Sequence, residues 1–301
     1  MHKLIAVLIS SALVSSSLLA AENPIFDQLI GCGITFPDGS VVKLPAPSMP
    51  DDADQQTRDR ILAKVADRHP LKQFLLDSRV APFVLKIESI KDEKGNRTGQ
   101  SVDLWFVAYG DLKKIDEHRL FDELGLLQPP QDRGQEADAE LSESRDLAAD
   151  DLKSRGIAVR EKTAEFEEHY GAFDGTLLNR VQISGVMHTA VTSGGKSIQV
   201  AAVLDSRFAE DSAFPNRWRS RSKDKLGKTV EGPAQLYQGF GGYAKFTPLD
   251  VPARAILIEC HVVFHEPHGW FDGMNLLRSK LPVAIQNNVR EFRTKLSRLD
   301  K

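Results

Sequence analysis

The chain has 301 residues, of which 39 are Lys or Arg and 42 are Asp or Glu, so its formal net charge is −3. This balance excludes the strongly basic character typical of proteins that bind nucleic acids, and we expect no nucleic-acid partner. The length is enough for one large domain or two small ones, and we predict a single domain over residues 22–301.

The first 21 residues, Met1–Ala21, are typical of a secretory signal peptide. Lys3 gives a positive start, an apolar run extends over Leu4–Val14, and small residues follow at Ala20/Ala21. The run is too short to span a bilayer. We therefore predict an exported protein, periplasmic or extracellular, cleaved near Ala20/Ala21.

Two cysteines, Cys32 and Cys260, lie at opposite ends of the exported part of the chain. An oxidising compartment permits a disulfide between them. Such a bond would close a loop of more than two hundred residues, worth roughly 4–5 kcal/mol if it acts by restricting the unfolded chain. Two buried free thiols fit the sequence equally well, so both alternatives stay open.

The N-terminal half begins with a predicted hairpin over 34–44, in which Pro37–Ser40 form the turn. A Pro-rich connector covers 45–50, and apolar spacing predicts helix over 51–77 with a break at His69–Pro70. Residues 80–90 and 101–109 are predicted strands of an antiparallel hairpin, and 116–127 a short helix.

A charged insertion is predicted at about 131–170. Residues 132–168 contain 12 acidic and 6 basic residues and few apolar ones. This composition is typical of a solvated helix or a partly disordered segment, and we expect no binding role for it.

The following part of the chain is rich in strands. Long strands are predicted over 177–192 and 196–205, joined at Ser193–Gly195, and further strands over 234–246 and 255–264. Because strands and helices do not alternate, we predict an antiparallel sheet in an α+β fold.

The last element is a long amphipathic helix. Its apolar residues recur at steps of three and four, which places them on one stripe: Leu277, Leu281, Ile285, Val289, Phe292, Leu296 and Leu299. Pro282 is expected to kink this helix or to start its second part. The antiparallel sheet is the expected partner of the stripe.

A polar cluster lies between His261 and Asp272, where three of the eight histidines fall. In a strand, His261 and His265 would sit about 13 Å apart, too far to share one ion. His265, His268 and Asp272 are therefore only weak candidates for a zinc site, and the HExxH spacing is absent. The alternative is a strand end whose polar face meets solvent, and we expect no metal or other cofactor.

The segment Arg217–Lys228 carries six basic residues and one acidic residue. In an exported protein it would meet an anionic membrane or an envelope polymer, with about 1 kcal/mol for each basic residue near the surface. A solvated loop is the plainer interpretation. The candidate ligand contacts from this segment and the aromatic residues that follow are Arg217, Trp218, Arg219, Arg221, Phe240, Tyr243 and Trp270.

The final strand runs through His268–Phe271 into Asn275–Leu277 and then into the Leu281–Pro282 helix, which resembles the START-like, or helix-grip, fold. The resemblance covers about the last fifty residues, while the charged insertion and the N-terminal hairpin depart from the minimal pattern. It implies a curved sheet that grips the last helix around an apolar cavity, and binding of lipids or other hydrophobic small molecules.

Our leading hypothesis is thus a non-catalytic exported protein that binds a lipid or another hydrophobic small molecule. Two alternatives remain open at this point. One is an exported hydrolase-like enzyme that uses the His261–Asp272 cluster, and the other is an envelope structural or interaction protein.

Overall fold

The structure is a computed structural model that describes residues 22–112, 143–193, 196–273 and 276–299. The predicted signal peptide, the helix expected at 116–127 and the turn glycines at 194–195 lie outside these residues. The helices are α1 (Pro24–Gly31), α2 (Gln55–Val65), α3 (Leu71–Phe74), α4 (Ala149–Lys153) and α5 (Leu276–Leu299). The strands are β1 (Ile34–Thr35), β2 (Val41–Val42), β3 (Phe83–Lys91), β4 (Arg97–Tyr109), β5 (Glu143–Asp146), β6 (Phe166–Leu177), β7 (Val181–Thr192), β8 (Ile198–Leu204), β9 (Arg217–Lys223), β10 (Thr229–Glu231), β11 (Gln235–Leu236), β12 (Phe240–Pro248) and β13 (Ala255–His265).

Eleven of these strands form one antiparallel sheet. Its continuous order is β5-β6-β7-β8-β12-β13-β4-β3, so β3 lies at an edge. Strand β9 pairs with the first part of β7 and carries β10 and β11. The predicted α+β class with an antiparallel sheet is confirmed.

Helix α5 covers one face of the sheet with the predicted apolar stripe. Ile285, Val289, Phe292 and Leu296 are 2–3% exposed and share a core with residues of β4, β7, β8, β12 and β13. Leu296 lies directly over Gly110, where a Cβ atom would come within 2.4 Å of the Leu296 Cγ. The close approach of helix and sheet at this end therefore requires glycine.

The opposite face is covered by the N-terminal part of the chain. Helix α1 packs on β7, β8 and β12 through Ile25, Phe26 and Leu29, and α2 and α3 pack near the start of β3 and the end of β4. The Asn23 side chain caps α1 by accepting a hydrogen bond from the Phe26 amide, 3.0 Å away. Both faces of the sheet are thus covered. The cover by the N-terminal part of the chain is an addition to the minimal helix-grip pattern.

A strap formed by residues 45–51 crosses this second face. The Glu259 carboxylate is fully buried and accepts hydrogen bonds from the amides of Ser48 at 2.8 Å and Met49 at 3.1 Å. The Lys245 ammonium donates to the Met49 carbonyl at 2.7 Å. Charged side chains from the sheet therefore satisfy the backbone of a segment that forms no strand itself.

Two parts of the chain differ from the sequence prediction. The strand predicted over 177–192 corresponds to β7, which begins only at Val181, because Leu177 ends β6 and the turn at Leu178 and Asn179 has left-handed backbone conformations with φ of 53° and 54°. The described part of the predicted charged insertion, 143–170, contains β5, α4 and the start of β6 rather than a solvated helix or a disordered segment.

The two cysteines are free thiols, so the disulfide alternative is wrong. Cys260 is 1% exposed and belongs to the core under α5, whereas Cys32 is exposed at the end of α1 on the other face of the sheet. The alternative of two buried thiols therefore holds for Cys260 alone. Within the described ranges, no helix combines the length and the apolar character needed to cross a membrane.

Candidate ligand-binding site

A cleft of about 520 Å³ lies between the edge strand β3 and helix α5. Phe83, Leu85 and Ile87 point from β3 towards the helix side of the sheet, as alternate residues of a strand must. They stay half-buried because the stripe of α5 packs over the strands next to β3. Pro282, Gln286 and Val289 form the middle of the helix wall, so the strand wall is apolar and the helix wall is mixed.

The two walls run in opposite directions. The Arg293 guanidinium, near the end of α5, donates hydrogen bonds to the carbonyls of Ala81 at 2.6 Å and Pro82 at 3.1 Å, just before β3. The strand residues from Phe83 to Ile87 therefore lie opposite the helix residues from 290 back to Pro282. The strand stretch is about 13 Å long and the helix stretch about 12 Å long.

Besides Arg293, four arginines line the cleft, and among the residues that the structure describes no acidic one does: Arg68, Arg79, Arg278 and Arg290. Within the described residues none of these four forms an ion pair. The first three are exposed and Arg290 is half-buried. The cleft therefore combines an apolar strand wall and a mixed helix wall with positive charge that no described acidic residue pairs.

Arg293, which also reaches the cleft, has a different role. It is 5% exposed, lies over the Phe106 ring at 5.6 Å and donates to the Val107 carbonyl at 2.9 Å. Burial away from water lowers its pKa to about 10, so it stays charged at neutral pH. Since its donors are taken up by backbone carbonyls, Arg293 fixes the rim of the cleft.

The predicted ligand contacts do not meet at one place. Trp218 and Trp270 do come together, with ring centroids 6.1 Å apart, but both are buried in a core cluster. Phe240 belongs to the same side of the sheet. Tyr243 lies under the strap on the opposite face, where its hydroxyl donates to the Pro45 carbonyl at 2.6 Å.

The arginines of the basic segment Arg217–Lys228 have partners within the chain. The segment forms β9 and a turn in place of a loop. Arg217 pairs with Glu210 at 2.9 Å, and Arg219 pairs with Glu231 at 3.3 Å. Arg221 donates to the hydroxyl of Thr176 at 2.7 Å. Binding of this basic segment to an anionic membrane or envelope polymer stays a prediction.

The histidines of the His261–Asp272 cluster have separate environments. His261 is 1% exposed and its Nδ1 donates to the Asp103 carboxylate at 2.6 Å, while His268 is exposed. Burial lowers the pKa of His265. Among the residues that the structure describes, which do not include the Asp272 side chain, no group of three His, Cys, Asp or Glu residues could hold a metal ion. The weak candidate zinc site, which includes Asp272, therefore stays a prediction.

A polar cluster that sequence reasoning missed joins β6 and β7. His188 hydrogen-bonds to Glu168 and stacks on the Tyr170 ring at 4.3 Å, and Arg207 donates to the Tyr170 hydroxyl at 3.0 Å. Arg207 is also paired with Asp205 at 2.6 Å. Its members satisfy one another, which indicates a structural role.

The comparisons with known proteins concern the fold alone. No protein-family model and no curated protein matches the chain. Among solved structures, the chain is similar to human STARD10, with 10% identity, a TM-score of 0.32 and coverage of 82% of this chain and 83% of that one. A similarity with this identity and TM-score supports no conclusion about a ligand. The START-like resemblance is confirmed as an architecture, an antiparallel sheet packed by a long C-terminal helix.

Proposed function

We propose that this protein is an exported binding protein that holds a lipid or another hydrophobic small molecule in the cleft between β3 and α5. The observation that carries the proposal is the cleft itself, with its apolar strand wall and with Pro282 and Val289 on the helix wall. Its volume of about 520 Å³ lies within the range of roughly 300–1,000 Å³ typical of small-molecule sites.

The packing of α5 supports this location. The helix stripe is buried against the sheet, so the space directly under Ile285, Phe292 and Leu296 is filled by side chains. Beside the helix, the half-buried Phe83, Leu85 and Ile87 still expose apolar area that a ligand would remove from water. Each square ångström so buried contributes about 25 cal/mol, which favours an apolar ligand at this position.

The test is binding of a neutral apolar fluorescent probe, N-phenyl-naphthylamine, to the purified protein. We expect one probe per chain, and at least about tenfold weaker binding to Leu85→Trp, whose larger side chain fills the cleft. Val230→Trp, at an exposed apolar position on β10, is the matched control and should bind as the unmodified protein does. Equal binding by both variants, or no binding at all, would contradict the proposal.

The export component is supported by the pattern of Met1–Ala21. The expected product is a mature chain that starts near residue 22 and is found in the envelope or the medium. Mass spectrometry of the protein from fractionated cells measures this directly. An uncleaved chain in the cytosolic fraction would show that the export component is wrong.

A further inference from the structure

We infer that the ligand of this cleft is an anionic single-chain amphiphile, with its acid group bound at one end of the cleft and its alkyl chain along β3. The inference rests on the proposed function and specifies the chemistry of the ligand. It follows from the unequal distribution of charge along the cleft, from the absence of acidic residues among its described lining and from the shape of its walls.

The positive charge is concentrated where β3 begins. The Arg79 carbonyl lies 3.5 Å from the Arg293 guanidinium, and Arg290 precedes Arg293 by about one helical turn. Arg68 belongs to the connection between α2 and α3, which pack near the start of β3 through contacts with Val84. We name this group of Arg68, Arg79 and Arg290 the cationic end. At the other end, Arg278, about one helical turn before Pro282, is the only arginine among the described lining residues.

The cationic end is suited to an oxyanion. A guanidinium group presents parallel N–H donors that match the two oxygens of a carboxylate or phosphate. Because its three arginines have no acidic partner among the described residues, an incoming anion breaks no ion pair, and it relieves the repulsion between the cations. A neutral ligand would leave this charge uncompensated.

The apolar part of the cleft fits one chain. The strand wall presents the apolar row of Phe83, Leu85 and Ile87, and the helix wall presents Pro282 and Val289 with the amide of Gln286 between them. The rows run side by side for about 12–13 Å from the cationic end. An alkyl chain between them would contact apolar groups on both sides, with its acid group at the arginines.

Isothermal titration calorimetry of the purified protein with four ligands tests the inference. The amphiphilic ligands are used below their micelle concentrations. Dodecyl phosphate and dodecanoate carry the acid group, dodecanol has the same chain without charge, and inorganic phosphate has the charge without the chain. We expect both acids to bind at least about tenfold more tightly than dodecanol, as one charge-assisted hydrogen bond would give. Inorganic phosphate should bind at least about tenfold more weakly than dodecyl phosphate.

Substitutions at the cationic end locate the acid group. The double variant Arg79→Gln/Arg290→Gln should lose at least about tenfold in affinity for the two acids and keep its affinity for dodecanol. Arg60→Gln/Arg298→Gln removes the same charge at positions away from the cleft and should change neither. A thermal melt of each variant confirms that it is folded.

The outcomes separate this inference from the proposed function. If dodecanol binds as tightly as the acids, or if Arg79→Gln/Arg290→Gln binds all ligands normally, the inference is overturned while a hydrophobic site remains. Tight binding of inorganic phosphate alone would show a free-anion site and overturn it as well. If no ligand with an alkyl chain binds, or if Leu85→Trp binds each of them normally, the proposed function itself fails.

Discussion

Replacement of Arg293 by Met tests how the rim of the cleft is held. The methionine keeps much of the apolar contact with the Phe106 ring but removes all hydrogen-bond donors. The carbonyls of Ala81, Pro82 and Val107, which now accept from the guanidinium at 2.6–3.1 Å, would then lose these donors. We expect the segment before β3 to loosen and the folded state to be destabilised.

The magnitude follows from two opposing contributions. Burial lowers the pKa of Arg293 from its usual 12.5 to about 10. This shift corresponds to a cost of about 3 kcal/mol for keeping the guanidinium charged in the folded state. The substitution removes this cost. Each of the three carbonyls left without a donor costs about 1–3 kcal/mol, or about 6 kcal/mol together at the middle of that range, so the balance is a net loss of about 3 kcal/mol of unfolding free energy.

Urea unfolding at neutral pH, followed by tryptophan fluorescence, measures this loss. Arg298→Met, at an exposed position of the same helix, is the control and should change stability by less than about 0.5 kcal/mol. If Arg293→Met were as stable as the control, the carbonyl contacts would not stabilise the rim, and the reasoning would be refuted.

Three further predictions concern the core and the strap. Glu259→Gln should destabilise the protein by about 2–3 kcal/mol in urea, because an amide nitrogen cannot accept the hydrogen bonds that hold the strap, and an unchanged midpoint would contradict this. Burial raises the pKa of the Cys260 thiol, so above pH 9 the unfolded chain loses a proton that the folded chain keeps, and stability falls as the pH rises. In Cys260→Ala the fall between pH 9 and 10 should be smaller by up to about 1.4 kcal/mol, whereas an identical slope would exclude this thiol as its source. Gly110→Ala should cost about 1–3 kcal/mol in thermal melts because its methyl group overlaps Leu296, whereas Gly171→Ala, where a Cβ meets nothing within 4 Å, should melt normally.

Much of the fold could be predicted from local patterns. The stripe of α5 repeats at the helical period over more than twenty residues, and β13 is a largely apolar run interrupted by Glu259 and His261, so each element is identifiable without its neighbours. The hairpin of β1 and β2 has turn residues of the expected kind at Pro37–Ser40. In these elements the spacing of apolar residues and the local turn chemistry favour the same structure, and the predictions for them are confirmed.

The remaining elements depend on signals that are weak or distant. The turn between β6 and β7 uses Leu178 and Asn179 without a glycine, so the predicted strand begins at residue 177 and includes the turn, and the acidic residues before Phe166 concealed the start of β6. Helix α1 has recognisable start signals in Asn23 and Pro24, a cap and a first-turn proline, but it is only eight residues long, and no helix was predicted there from the sequence.

The cleft could not be predicted from any single stretch of sequence. Its cations come from three separate segments, represented by Arg68, Arg79 and Arg290, and only the packing of α5 beside β3 brings them together. The basic segment Arg217–Lys228 was more conspicuous because its charges are consecutive, yet three of its arginines are paired or hydrogen-bonded within the chain. Density of charge along a sequence is therefore a poor guide to charge left unpaired in a fold.

The covering of the second face has a consequence for the order of folding. Asn23 bonds to Ala190 across 167 residues of chain, Tyr243 to Pro45 across 198, and Ser48 to Glu259 across 211. Contacts between such distant residues require large loops to close, which slows folding. The N-terminal quarter, although synthesised first, can reach its native position only after β13 has been made, so native structure in this protein is completed late.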